Sequence, residues 1–277
     1  MLVTQFVLGV LLAPLLQGAM KSMRARLSGR PGPSVMQPYR DLRKLMSKEA
    51  LAPMHASWIF LLAPGLLVGV STTVLWLAPS LVALPLVLPD AVAIALTLAL
   101  GRFILVLAAL DSRSGFEGMA ASREMTFAAL TEAPMILALA SAGLGNSTPI
   151  GGALAAVALV IVMLAETARI PIDNQETHYE LTMIHEGMVL EYSGWQLALT
   201  QMAAYIRQIA FFALVALLLP GDGLMPFAWM LALAMIIPMI ERALAKLRLF
   251  EVPQLFTTAT LLALASIGLR IVGVISW

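Results

Sequence analysis

The densest chemistry in the sequence lies between Glu166 and Gly194. Glu166, Asp173, Glu176, Glu180, Glu186 and Glu191 set six carboxylates against one arginine, Arg169. Carboxylates crowded at a membrane boundary repel one another and lose hydration, which raises the pKa of some and moves protonation changes towards neutral pH. That behaviour suits a proton path. A solvated acidic loop docking on a basic partner surface accounts for the composition equally well. Glu166 favours the proton path, because it ends a strongly apolar stretch and Arg169 follows one turn later, near enough to pair.

His178 and His185 are seven residues apart and share a face if the segment is helical. Without an aligned third ligand or an H-E-x-x-H arrangement, they fit hydrogen bonding or proton shuttling better than a metal site. Single charges also interrupt apolar runs: Arg102, Glu132, Arg207 near the start of one run, and Glu241 at the end of another. A charge inside a bilayer costs at least ~2.5–3.5 kcal/mol on insertion scales, so it faces protein or a wet cavity. Arg102 and Glu132 read either as a structural ion pair between neighbouring helices or as part of a relay. Arg270, near the end of the last run, can snorkel to water and takes no role.

The elements that must hold these groups are membrane helices. Of the 277 residues 60% are hydrophobic and only 12% charged, with a mean hydropathy of +0.91, whereas about a quarter of an ordinary soluble chain is charged. Apolar runs measured against the roughly 20 residues of a span give eight helices, about 2–20, 56–78, 84–110, 125–143, 150–168, 201–219, 225–241 and 256–275. The first has no signal-peptide pattern and is kept as a permanent helix. Pro85, Pro89 and Asp90 place the start of the third span near Ala91, and Pro238 predicts a kink in the seventh.

Lysine and arginine sort the loops into two classes. They crowd the stretch 21–48 and recur as Arg113, Arg123, Arg242, Lys246 and Arg248, whereas 79–90, 144–149 and 220–224 have none. The positive-inside rule then puts the basic loops in the cytoplasm and both termini outside. The fold expected is an all-α integral membrane protein, one transmembrane domain over 1–277, with cytoplasmic loops about 21–55 and 169–200 forming a docking face. Within the first loop, Leu42, Leu45 and Met46 fall at helical spacing opposite Arg40, Arg43 and Lys44, which reads as an amphipathic helix on the membrane surface or as a basic loop that only fixes topology.

Several chemistries have no residues to support them. There is no cysteine for thiolate ligation of a zinc, nickel or iron–sulfur centre, so any redox metal is expected on a partner and no cofactor in this chain, with a quinone site left open. No phosphate loop or glycine-rich dinucleotide fingerprint is present, and the basic loop lacks the aromatic platform of a nucleic-acid binder. The 17 methionines repeat at no fixed position and read as packing.

Two motifs resemble a known family. Lys21-x-x-Arg24-x-Arg26, followed by Arg30-x-Gly32-Pro33-x-x-x-Gln37-Pro38-Tyr39-x-Asp41-Leu42-x-Lys44-Leu45, is similar to the first cytoplasmic loop of the subunit 1 family of respiratory complex I. Glu166-Thr167-x-Arg169-x-Pro171-x-Asp173 and Glu191-Tyr192-Ser193-Gly194 look like its second signature. Where quinone-reducing members carry phenylalanine and a Pro-Glu-Gly-Glu-Ser-Glu-like stretch, this chain has Ile172 and then Asn174 to Glu186. That variant looks more like the membrane-anchor subunit of formate hydrogenlyase and related energy-converting group 4 nickel–iron hydrogenases.

The resemblance implies a platform without its own metal. Hydrogenase large and small subunits and iron–sulfur subunits, carrying the nickel–iron and iron–sulfur centres, would dock on its cytoplasmic face in a bacterial or archaeal cytoplasmic membrane. Antiporter-like membrane subunits would join laterally, and electron transfer would drive proton or sodium translocation. Glu166, Arg169, Asp173, Glu176 and Glu180 would form an acidic mouth under the redox arm, with Glu191 at its far end; Glu132, Arg102, His185 and Glu186 would complete the relay. Residues Arg30 to Lys44, including Gln37, Tyr39, Arg40, Asp41 and Arg43, would contact that arm. The other readings are a quinone-site subunit of an NADH dehydrogenase-like complex and an independent secondary transporter, against which stands the lack of an internal repeat.

Overall fold

The computed structural model describes residues 2–78, 88–144, 149–174, 183–221, 223–248 and 250–275. Among them all regular structure is helical: α1 Leu2–Leu27, α2 Gln37–Met46, α3 Trp58–Leu77, α4 Leu88–Asp111, α5 Gly115–Ala142, α6 Pro149–Glu166, α7 Gly194–Leu218, α8 Met225–Ala243 and α9 Val252–Ile275, with a 3-10 turn at Glu186–Val189. All but α2 are long and apolar enough to span a membrane, which gives the eight spans expected.

Two spans begin earlier than their apolar runs suggest. The fourth starts at Gly115 rather than 125, and the sixth at Gly194 rather than 201. In both, the added turns carry polar side chains that point into protein: Glu117 and Glu124 in α5, Gln196 and Thr200 in α7 are all buried. Pro238 sits inside α8, which continues through it.

Helix α7 is the central pillar. Of its most apolar stretch 78% is buried, against 28–56% in the other spans, and α1, α2, α3, α6 and α8 pack around it. Phe211 and Phe212, together with Leu159 and Met163 of α6 and Phe256 of α9, fill the main core. At the end without basic loops, Arg270 is not snorkelling: it is 3% exposed and donates to the Ser141 carbonyl at the end of α5. There it meets the partial negative charge of a helix C-terminus.

The basic loops meet at the other end of the bundle. Asp111 at the end of α4 accepts from Ser57 N, Ser57 Oγ and Phe60 N, closing the start of α3. Leu247 N donates to Pro171 O at 2.8 Å, tying the segment after α8 to the segment after α6. Helix α2 follows the Gly-Pro breaks of the first loop; Pro38 is buried, Leu42 packs against Ile206 and Ile209 of α7, and Arg40, Arg43 and Lys44 remain exposed.

The Glu191–Gly194 motif is a lock between these loops. Tyr192 stacks on Phe60 with ring centroids 4.2 Å apart and donates its hydroxyl proton to Phe60 O. Burial pushes the Tyr192 phenol pKa up and keeps it a donor. Ser193 Oγ accepts from Leu51 N and donates to Leu51 O. Gly194 has φ +52, and a Cβ there would lie 2.3 Å from the Glu49 carbonyl oxygen. Gly194→Ala is therefore expected to cost at least ~2 kcal/mol, through left-handed backbone strain and the clash. The check is a lowered unfolding midpoint in mild detergent; an unchanged midpoint contradicts the lock.

Candidate functional site

The end of α6 sets the geometry. Arg169 N donates to Leu164 O at 2.8 Å and Ala168 N to Ala165 O at 3.0 Å, the pair of bonds that ends a helix through a left-handed residue. That residue is Ala168, with φ 51. The turn sends Glu166 and Arg169 in different directions, and the pairing expected between them does not form. Residues one turn apart on a continuing helix would meet, but this helix stops between them.

Glu166 instead meets Arg102 of α4 at 3.1 Å. Arg102 also donates to Thr131 Oγ1 of α5 at 2.7 Å and lies 3.6 Å from Glu132. The ion pair between neighbouring helices therefore exists, with Glu166 as its closer member. Arg102 and Glu166 have side chains only 3% and 2% exposed, whereas that of Glu132 is 47% exposed on the flank of α5. Arg102 Nε and Glu166 Oε2 have no hydrogen-bond partner among the described residues. They border a cavity of about 10 Å³ shared with Glu124, Thr131, Asp173 and His185, near the smallest volume that takes a water.

Arg169 crosses to three other helices. It donates to Glu241 Oε1 of α8 at 2.6 Å, to Gln208 Oε1 of α7 at 2.8 Å and to Gln17 Oε1 of α1 at 2.8 Å. Glu241 also accepts from Arg24 of α1 at 3.1 Å. The planar five-donor guanidinium suits this three-way connection, which a point-charge ammonium cannot reproduce.

Asp173 organises the loop. Its carboxylate accepts from the backbone N–H groups of Asn174, Ile184 and His185, and from Lys246 Nζ at 2.8 Å. These bonds hold Ile184 and His185 against Asp173, and His185 reaches the cavity beside Glu166. Arg207 of α7 lies 3.0 Å from His185 Nε2. Because guanidinium only donates, Nε2 accepts and the imidazole proton sits on Nδ1.

Burial, and then the Arg207 charge, push the His185 pKa down from 6.5 to about 3. Above pH 6.5 the imidazole is neutral whether folded or unfolded; between about 6.5 and about 3 only the unfolded chain takes the proton, so stability falls as pH falls through that window. Wild type should lose unfolding midpoint between about pH 7 and about pH 5 more steeply than His185→Gln, which has no imidazole to titrate. Parallel curves would contradict the assignment.

Of the residues expected to act together, Arg102, Glu132, Glu166, Asp173 and His185 converge on or beside the small cavity. Glu186 lines a larger cavity next to it. Glu191 is exposed, and its backbone N–H donates to the buried Glu117. Glu176, Glu180 and His178 lie outside the described residues. On the docking side, Gln37 donates to Asp41 at 2.8 Å, Tyr39 donates to the Leu11 carbonyl, and Arg30 lines the larger cavity.

Sequence reading missed Glu117 and Glu124. Glu117, Glu124 and Thr131 are spaced by seven along α5 and are 0%, 8% and 1% exposed, a polar stripe on one buried face. The sevenfold spacing was the available signal. Among the described residues there is no cluster suited to a metal ion.

Fold and site define a multi-pass helical membrane protein with a buried charge network at its basic end. The family model for NADH dehydrogenase matches residues 1–273, and the chain belongs to that family. It is 34% identical to hydrogenase-4 component C of Escherichia coli over 238 residues, covering 78% of this chain and 74% of the relative. It is 30% identical to formate hydrogenlyase subunit 4 of the same organism over 276 residues, covering 88% and 89%. With an NADH-quinone oxidoreductase subunit of Burkholderia vietnamiensis the identity is 28% over 260 residues, covering 82% and 72%. The fold is also that of a chain in the archaeal membrane-bound sulfane sulfur reductase, with a TM-score of 0.82, 17% identity, and coverage of 97% of this chain and 98% of that one.

Proposed function

We propose that this chain is the membrane platform of a complex I-like, energy-converting hydrogenase of the formate hydrogenlyase type. The higher identity to the two hydrogenase components than to the quinone oxidoreductase subunit supports this branch. The partners are hydrogenase large and small subunits and iron–sulfur subunits on the basic, cytoplasmic face, and antiporter-like membrane subunits at the flank. Nickel–iron and iron–sulfur centres belong to the redox arm. The half-exposed Glu132 on the side of α5 suits a lateral neighbour, since a carboxylate facing lipid is costly.

The observation that carries the coupling role is the buried Arg102–Glu166 pair opening on the cavity with Glu124, Asp173 and His185. A charge change in the docked arm alters the field at this network. Glu166, Glu124 and Asp173 answer by changed proton occupancy, which passes into the membrane past Arg102 and Glu132. With sodium as the coupling ion, the same field change would act on Na+ through the charge of the carboxylates, and no proton would be transferred across.

The test is a mild-detergent pull-down of the tagged chain, with mass spectrometry of its partners and analysis of nickel and iron. Nickel, iron and a hydrogenase large subunit are expected. Flavin and NADH dehydrogenase-like subunits without nickel would overturn the hydrogenase branch in favour of a quinone-site subunit, with the larger cavity beside Arg169 as its pocket.

A further inference from the structure

Helix α2 lies beside the spans rather than across the top of the basic end. The chain leading to it runs back along α1, so close at Gly18 that a Cβ there would overlap the Val35 carbonyl oxygen. Tyr39 then donates to the Leu11 carbonyl, and Leu42 packs against Ile206 and Ile209 of α7. Leu11 lies roughly 24 Å of helix back from the Leu27 end of α1, and Ile206 roughly 18 Å of helix in from Gly194. At this level α1 leaves Leu8, Leu11 and Leu12 exposed, a surface that in a chain of eight spans faces acyl chains.

The two faces of α2 differ. Pro38 is buried and Leu42 half-buried, whereas Arg40, Arg43 and Lys44, spaced i, i+3 and i+4 on one outer face, are exposed. None of the three forms an ion pair among the described residues. Asp41, the one carboxylate of the helix, accepts from Gln37 at 2.8 Å, and the helix keeps a positive excess. Exposed Met36 and Met46 bracket the cations at either end.

Cations on a helix at the edge of the bilayer extend to the headgroup layer, where anionic phospholipids present phosphates, while apolar side chains beside them meet acyl chains. A redox arm seated on the basic end approaches along the helix ends and not from this side. The flank that carries Glu132 is also a different one, since α5 packs chiefly on α4, α6 and α9, whereas α2 packs on α1 and α7.

We propose that the outer face of α2 binds anionic phospholipids of the cytoplasmic leaflet, with Arg40, Arg43 and Lys44 on the phosphate groups and Met36 and Met46 among the acyl chains. Because α2 braces α1 and α7, lipid held there steadies the helices that carry Gln17, Arg24 and Gln208 of the Arg169 network. This holds whichever redox arm docks.

The full chain, purified in a neutral detergent and phosphate-free buffer, is titrated with mixed micelles of phosphatidylglycerol, with phosphatidylcholine as the zwitterionic control, and with inorganic phosphate. Apparent affinity is read from the rise in unfolding midpoint, which phosphatidylglycerol should raise well above either control. Each cation near an anionic lipid surface is worth roughly fivefold, so Arg43→Gln should weaken apparent binding by that factor and the combined change Arg40→Gln, Arg43→Gln and Lys44→Gln by about a hundredfold. Arg40→Lys with Arg43→Lys keeps the charges and should bind close to wild type. Arg26→Gln, which removes an exposed cation from the end of α1 instead, should do the same. Equal response to phosphatidylcholine, a response to free phosphate that matches the lipid, or unchanged phosphatidylglycerol binding by the triple variant would overturn the proposal. Loss of the cytoplasmic subunits from a pull-down of a triple variant that still binds the lipid would assign this face to the redox arm instead.

Discussion

Glu166→Gln should leave the complex assembled and its electron transfer running, while ions moved per redox turnover fall by roughly tenfold, within the span of ordinary coupling free energies. Glutamine keeps the size of the side chain and an acceptor for Arg102, but it neither carries charge nor exchanges a proton. The complication is stability. Removing one member of a buried ion pair strands the other, at a cost of about 3–5 kcal/mol, towards the lower figure here because Glu132 remains 3.6 Å from Arg102. Arg102→Gln combined with Glu166→Gln removes both charges and should restore most of the unfolding midpoint without restoring translocation. If the double variant recovers pumping along with stability, the loss in Glu166→Gln was structural and the relay role is wrong. The readout is a pH-gradient or sodium-uptake signal in vesicles, divided by redox turnover of the complex measured in the same sample.

Arg169 carries the largest expected structural effect. Its guanidinium joins α1, α7 and α8 through Gln17, Gln208 and Glu241 just beyond the end of α6. Arg169→Met should cost about 3–5 kcal/mol, since Glu241 is left with Arg24 alone and two buried amide oxygens lose their donor. Arg169→Lys should recover only part, because one ammonium cannot meet acceptors on three helices. Glu241→Gln in the Met background tests the pairing: a double variant more stable than Arg169→Met alone shows that the stranded carboxylate was the main penalty. Strict additivity of the two changes would show that the two side chains do not interact.

The spans were legible because lipid demands long apolar helices, and α2 was legible because Gly and Pro bracket a short stretch with Leu42 and Leu45 at helical spacing. The site was legible as a set of residue types: charges set in or at the ends of apolar runs, at Arg102, Glu132 and Glu166, have to meet something. Their partners were not. Glu241 lies 72 residues from Arg169 in sequence, and no local spacing connects them. Sequence proximity favoured Glu166 for Arg169 until the left-handed turn at Ala168 separated them. Glu117 and Glu124 were hidden for a related reason. Polar residues at the end of an apolar run read as loop, yet in α5 they continue the helix and turn inwards.

In the proposed coupling, the proton occupancy of the buried carboxylates would follow the redox state of the docked arm. Redox-difference infrared spectroscopy of the whole complex measures that directly through the carboxyl stretch. The prediction is a carboxyl signal that appears on switching the arm between oxidised and reduced states and that is lost or shifted in Glu166→Gln and Glu124→Gln. A spectrum with no carboxyl change, or one identical in wild type and both variants, would contradict it.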